Sequence, residues 1–275
     1  MMEKTQFAVD REKCIGCGKC TKVCVANVVG GSVLTMKDGY PYLETPDTFG
    51  WAACWKCEHC IAACPTGAIS MFGVGAKDVL PKPSEAIKED LPKLISFRRT
   101  CRAFRQEDVD KKIIDEILAT LQNAPTGGNS MDVELTVVES RDFMQKIWDK
   151  AFSADIDYRR FPDFEVSANK FALSLYGAPH MLIAHKVAEE RCRDERISDV
   201  NIATAYFELL CNAYGLGTVM TNYALTVLDK NKEVRAMLGI PEDHYMALVV
   251  GFGYPAYPYE RGVLKDRSEF IHRFK

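Results

Sequence analysis

Cys54-Trp-Lys-Cys57-Glu-His-Cys60-Ile-Ala-Ala-Cys64-Pro65 is the stretch whose reading decides the fold of the first part of the chain. Three cysteines, each separated by two residues, then a fourth after three more and a proline, is the spacing by which thiolates wrap a cubane iron-sulfur cluster. The fourth cysteine of such a run reaches across to another cluster, so a second copy is required. Cys14-Ile-Gly-Cys17-Gly-Lys-Cys20-Thr-Lys-Val-Cys24 supplies it with the same spacing, Val25 standing where the other run has Pro65. By this crossing rule Cys14, Cys17, Cys20 and Cys64 form one ligand set, and Cys54, Cys57, Cys60 and Cys24 form the other.

Zinc and disulfides account for the pattern less well. A tetrahedral zinc site closes with four ligands from paired knuckles, leaving the third and fourth cysteines of each run without a role. Disulfide frameworks belong to oxidising compartments, and the N-terminus Met-Met-Glu-Lys-Thr-Gln-Phe-Ala-Val-Asp carries acids and no apolar secretory segment. The pattern resembles the bacterial-type two-cluster 4Fe-4S ferredoxin domain, expected over residues 1–79. A short strand at 7–10, a helix over 19–28, a hairpin turning at Asp38-Gly39 between 32–36 and 40–43, and an exit strand within 66–71 fill in the rest. Trp55 and His59, between ligands, are read as packing and surface. Such a domain passes single electrons. With every iron held by four sulfurs no position is open to a substrate, so the substrate chemistry has to lie elsewhere in the chain.

The 275 residues suffice for two modest domains. A formal net charge of -3 gives no basic stripe, so neither nucleic acid nor an anionic membrane surface is implied as a partner. No apolar run reaches the length needed to span a bilayer. Outside the two runs only Cys101, Cys192 and Cys211 remain, and a reducing cytoplasm is the expected setting. Val79-Leu-Pro-Lys-Pro-Ser-Glu reads as a stiff linker, with Ser84 capping a helix that begins near Glu85. Residues 80–95 are thus linker and entry helix, and a second domain is expected over 96–275.

Arg98-Arg99-Thr100-Cys101-Arg102-Ala103-Phe104 crowds three guanidiniums into five residues, flanked by Leu94, Ile95 and Phe97. A solvated charge run is the alternative, but apolar flanks favour a partly buried anion, and arginine forks match phosphate oxygens. A helix follows over 109–121, with Ile113, Ile114, Ile117, Leu118 and Leu121 at helical spacing. It breaks at Asn123-Ala-Pro125-Thr126-Gly127-Gly128-Asn129-Ser130, a loop that offers a hydroxyl, a carboxamide and bare amides. Strands at 133–139, 180–185 and 246–252 and a long helix at 197–214, with Ile202, Ala205, Tyr206, Leu209, Leu210 and Ala213 as its apolar face, complete an α+β layout of a mixed sheet wrapped by helices. Residues 155–164, with Tyr158, Phe161 and Phe164, are a candidate lid.

These motifs, followed in order by Gly215-Leu-Gly217-Thr218-Val-Met220, Gly253-Tyr-Pro255 and Arg261, resemble the FMN-dependent nitroreductase superfamily over about residues 96–265. The resemblance implies an FMN contacted by Arg98, Arg99 and Arg102 at phosphate, ribityl or pyrimidine edge, with Thr100 assisting. It implies a homodimer in which Pro125, Thr126 and Asn129 come from the other subunit. Gly217 and Thr218 would line the ring near its reactive nitrogen, and Arg261 would close on the phosphate. Many members continue the asparagine loop with Gln-Pro-Trp, whereas this chain has Ser130-Met131-Asp132; Cys101 is likewise no required type, and it is read as packing.

Taken together, the two halves imply an oxidoreductase that passes electrons from a low-potential donor through two 4Fe-4S clusters to FMN and on to a small electron-deficient organic acceptor, such as a nitroaromatic, quinone or activated alkene. Reduced ferredoxin or a similar carrier is the expected donor rather than NAD(P)H, since no G-x-G-x-x-G opens a helix. The alternatives are an electron-transfer module for a partner protein, and a flavin-site enzyme of another outcome such as flavin fragmentation or reductive dehalogenation.

Overall fold

The computed structural model describes residues 5–48, 50, 52–153, 174–188 and 193–274. The candidate lid at 155–164 and Cys192 lie outside the described residues. The chain forms two compact units, Met1–Ser84 and Glu85–Lys275. No described helix is long and apolar enough to cross a membrane.

In the first unit β1 (Phe7–Val9) leads into the first cysteine run. The helix expected over 19–28 is two single turns, α1 (Lys19–Lys22) and α2 (Val25–Val28). They part at Cys24, whose backbone is extended (φ -64, ψ 114). Next, β2 (Leu34–Lys37) and β3 (Tyr40–Leu43) form an antiparallel hairpin. Asp38 at φ 49 and Gly39 at φ 81 give it the two left-handed central residues that a two-residue turn requires. After α3 (His59–Ala62), β4 (Ile69–Met71) returns to pair antiparallel with β1, Phe7 opposite Met71.

The two cysteine runs repeat each other in backbone as well as spacing. Gly16 and Gly18 are left-handed at φ 65 and 66, and their counterparts Lys56 and Glu58 are left-handed at φ 52 and 54. Alternating left-handed residues turn backbone amides inward to make an anion-binding concavity, a form suited to an iron-sulfur core wrapped in thiolates. The second run holds this shape with side chains that disfavour it by about 1–2 kcal/mol per residue.

In the second unit α4 (Ile87–Phe97) begins after Ala86, with Glu89 and Asp90 in its first turn and no side-chain cap. Ser84 therefore does not cap it, because the helix starts too far along for the serine oxygen to meet its first amides. α5 (Lys111–Leu121) starts two residues later than its apolar spacing implies, since the Asp110 carboxylate accepts from the Lys112 amide at 2.8 Å and fixes the boundary there. The remaining elements are β5 (Glu134–Val138), α6 (Arg141–Ser153), β6 (His180–Val187), α7 (Arg193–Ala213), β7 (Gly217–Thr221), α8 (Asn222–Lys230), α9 (Lys232–Met237), β8 (His244–Met246) and β9 (Val249–Gly253).

The sheet runs β5-β6-β9-β7, with β8 also on β6. Its ladders are antiparallel, and a parallel bridge joins Thr100 to Thr218. The strand expected at 246–252 is split into β8 and β9, and both lie against β6. Central β6 is covered on both faces, so its apolar run is continuous rather than alternating. Ile114, Ile117 and Leu121 of α5 and Phe207 of α7 pack with Leu182 and Val250 on one side. On the other, Ile147 and Trp148 of α6 and Val227 and Leu228 of α8 pack with Met181 and Ile183. The buried side of α7 is Val200, Ala203, Thr204, Phe207 and Cys211, rotated from the expected face, and Tyr206 is 43% exposed. This helix is apolar on more than one side, so periodicity alone selects no face.

A Cβ on Gly16 would lie 2.9 Å from the Gly39 carbonyl oxygen as well as occupying a left-handed backbone. Gly16→Ala is expected to lower the melting temperature of the first unit, followed by cluster absorbance. Glu58→Gly removes the left-handed penalty and is expected to raise stability by about 0.5–1 kcal/mol.

Candidate functional site

The eight cysteines of the first unit line two pockets. Cys14, Cys17, Cys20 and Cys64 share one with Met36, Pro41, Thr66 and Ile69. Cys24, Cys54, Cys57 and Cys60 share the other with Val33, Leu34, Trp55 and Met71. Burial pushes the Cys60 thiol up to about 12 and raises those of Cys20 and Cys54. Bare thiolates are therefore disfavoured here, and a cation at the centre of each set reverses that balance. Burial acts on Cys64 in the same sense, but the amides of Ala68 (3.2 Å), Thr66 and Gly67 and the Thr66 hydroxyl outweigh it and its pKa falls. Four cysteines lining each pocket fit a cubane cluster there. His59 lies beside them with Nδ1 3.1 Å from the Cys57 carbonyl.

The arginine run of the second unit is stitched into place by its backbone. The Cys101 amide donates to Thr218 O at 2.8 Å, the Arg105 amide to Tyr254 O at 2.9 Å, and the Ala256 amide to Ala103 O at 2.9 Å. Farther along, the Val263 amide donates to Ser96 O at 3.0 Å, which holds neighbouring Arg261 near the start of the run. The structure thus sets Arg98, Arg99 and Thr100 beside Thr218 of β7 and Gly262, next to Arg261, against Ser96, while Arg102 faces Tyr176. Gly217 is required there, because a Cβ would stand 2.7 Å from Cys101 Cβ. Cys101 is buried, donates Sγ–H to Ala103 O at 3.2 Å, and has its thiol pushed up by burial, which is the environment of a packing residue.

The three guanidiniums differ in surroundings. Arg98 pairs with Glu208 of α7 at 2.9 Å, and that carboxylate also accepts from Thr218 Oγ1 at 3.5 Å. Arg99 donates to Arg98 O at 2.6 Å and Val263 O at 3.3 Å. Exposed Arg102 stands over the Tyr176 ring, 5.7 Å from its centroid. Glu208 was missed in the sequence; the available signal was an acid set within an otherwise apolar stretch of a long helix.

Pro125, Thr126 and Asn129 lie in a tight turn, with Gly128 at φ 62 and Asn129 at φ 54. Asp199 of α7 accepts from the Gly127 amide at 2.9 Å, and Thr126 Oγ1 accepts from the Met131 amide at 3.0 Å. Asp199 also pairs at 3.0 Å with Lys186 Nζ, which reaches Asp132 Oδ1 at 2.6 Å. The Lys186 side chain is only 2% exposed. Asp132 thus has a local purpose, as second carboxylate to a buried ammonium beneath the loop. Within one chain the loop meets α7 at Asp199 and the arginine run meets it at Glu208. At 1.5 Å per residue these points are about 13 Å apart along the helix.

Residues 95–254, more than half of the chain, match the nitroreductase family. The chain belongs to that family. Residues 13–69 of this nitroreductase-family oxidoreductase match a 4Fe-4S dicluster domain. An uncharacterized ferredoxin of Methanocaldococcus jannaschii is 35% identical over 83 residues, 30% of this chain and 92% of the ferredoxin. The first unit is accordingly a ferredoxin domain of the two-cluster 4Fe-4S type. An Archaeoglobus fulgidus protein assigned as NADH dehydrogenase/NAD(P)H nitroreductase is 26% identical over 182 residues, 66% of this chain and 90% of that relative. The crystal structure of a nitroreductase with bound FMN from Desulfitobacterium hafniense superposes with a TM-score of 0.55 at 20% identity, covering 70% of this chain and 100% of that one.

Lys186→Met leaves Asp199 as an uncompensated buried carboxylate. A loss of about 3–5 kcal/mol in unfolding free energy is expected on urea titration of the second unit. An unchanged midpoint would show that Asp199 is balanced by another group.

Proposed function

We propose that electrons enter this enzyme at two 4Fe-4S clusters, one held by Cys14, Cys17, Cys20 and Cys64 and the other by Cys54, Cys57, Cys60 and Cys24, and leave from FMN to an electron-deficient organic acceptor. Nitroaromatics, quinones and activated alkenes are the acceptor classes. The observation that carries this reading is the sorting of eight cysteines into two four-thiol pockets on a chain whose other unit belongs to the nitroreductase family. A flavin supplies the junction between one-electron delivery and two-electron reduction of an organic acceptor.

Arg98, Arg99, Thr100, Arg102, Gly217, Thr218 and Arg261 hold the FMN from one protomer. Arg98, already balanced by Glu208 beside Thr218, suits a neutral polar edge of the flavin, whereas exposed Arg102 suits its phosphate. Pro125, Thr126 and Asn129 of a second protomer complete the site in a homodimer. Support comes from the separation of loop and arginine run along α7, and from exposed Ile87, Leu91, Ile95, Tyr206, Leu264 and Phe274, an apolar surface for a partner copy to cover. The division of labour places electron entry in residues 1–79, a linker and entry helix in 80–95, and flavin chemistry in 96–275. The donor is a reduced ferredoxin or similar one-electron carrier in the cytoplasm, matched to clusters that accept electrons singly.

Protein purified without oxygen is expected to carry about eight irons and eight sulfides per chain, and one non-covalent FMN. Cys57→Ala is expected to lose iron and electron delivery while keeping FMN. Arg102→Ala and Arg98→Ala are expected to keep iron and weaken FMN by about 1.5–3 kcal/mol each. Full FMN occupancy in the Arg98, Arg99 and Arg102 variants, with iron intact, would remove the flavin assignment.

An acceptor screen driven by reduced ferredoxin, with NADPH alone as comparison, tests the electron path. Reoxidation no faster with any small acceptor than in buffer sinks the enzyme reading, and equal flavin reduction by NADPH in cluster-depleted protein sinks the donor.

A further inference from the structure

Away from the cysteines and the arginine run, three potential ligands meet on one face of the sheet. Glu134 of β5 stands opposite His185 of β6. His244 of β8 stands opposite Val187, two residues along β6 from His185, and residues two apart on a strand share a face. Both histidines are buried and Glu134 is exposed. His185 Nδ1 lies 2.8 Å from His244 Nδ1, and one ligand atom from each of the three residues falls within 4.8 Å of the others.

The outer nitrogen of His185 is held as well. Its Nε2 lies 3.0 Å from Thr136 Oγ1, and that hydroxyl donates to Leu238 O at 3.4 Å. A hydroxyl whose proton is given to the carbonyl accepts from Nε2–H, which leaves His185 Nδ1 with its lone pair toward His244 and Glu134. Metal-binding imidazoles are anchored in this way, through the nitrogen that does not bind the ion. The nearby cation Arg235 donates to His244 O at 3.0 Å and has its charge matched by Asp229.

We propose that Glu134, His185 and His244 form a divalent-cation site of the zinc class, with two imidazole nitrogens and one carboxylate oxygen as protein ligands and a fourth position open to water on the Glu134 side. Nitrogen and oxygen donors of this kind suit zinc. Bonds of about 2.0–2.1 Å in a tetrahedron put ligand atoms about 3.4 Å apart. The two Nδ1 atoms therefore part by about half an ångström, and the exposed Glu134 side chain swings inward. Bound there, the ion would tie β5, β6 and β8 together at the edge of the second unit.

The test uses full-length holoprotein, equilibrated with zinc chloride and dialysed, with zinc and iron counted together by mass spectrometry. One zinc per chain is expected with iron unchanged, and the melting temperature should rise with zinc concentration. Glu134→Gln, at an exposed position, is expected to retain the fold and weaken zinc at least tenfold, and Thr136→Val about tenfold. His244→Asn should abolish tight binding. Zinc uptake that is equal in wild type, Glu134→Gln and His244→Asn, or that is absent from all of them, overturns the site and leaves a hydrogen-bonded imidazole pair.

Discussion

Where the amide of Cys101 meets the carbonyl of Thr218, two segments more than a hundred residues apart in sequence become neighbours in one strip. Closing so long a span is opposed by chain entropy, and one hydrogen bond contributes only about 1 kcal/mol. The contact therefore rests on β9, which holds β7 in register with Thr218 opposite Phe252. Gly217 makes the approach close enough, and the Cys101 side chain fills the space its missing Cβ leaves. From that seam follow the placement of Arg98 against Glu208 and of Arg99 against Val263.

The first unit meets a different constraint. Its apolar cluster is Leu34, Ile61, Ile69 and Met71 together with Cys20 and Cys60, so the cluster ligands are themselves part of the core. A domain this small buries little surface per residue. Burial raises the thiol pKa of Cys20, Cys54 and Cys60, and metal bound to their thiolates adds to the stability of the fold around them.

What was legible in the sequence is what local chemistry fixes. Metal-ligand spacing is a short-range constraint, so all eight cysteines and their division into sets could be read directly. The Asp38-Gly39 turn could be read for the same reason, since its backbone needs two left-handed residues. The apolar stripe of Ile113, Ile114, Ile117, Leu118 and Leu121 gave α5, while Asp110 moved its start. Tertiary partners were not legible. Cys24 breaks a helix that its neighbours would continue, and it lines the pocket of the other run. The buried side of α7 is chosen by the sheet beneath it. Glu208, Asp199 and Lys186 look like ordinary surface charges until the fold sets Arg98, Gly127 and Asp132 beside them.

The buried ammonium of Lys186 between Asp199 and Asp132 carries a consequence for how this lineage can vary. The three residues come from β6, α7 and the segment before β5, and no local rule links them. Loss of the lysine strands a carboxylate in the interior, and loss of Asp199 leaves the lysine with Asp132 alone and the Gly127 amide without its acceptor. Substitution at one of these positions therefore changes what the others can tolerate. Among descendants, an apolar residue at 186 should be accompanied by a neutral residue at 199, and the backbone amide of the glycine loop must then find another acceptor.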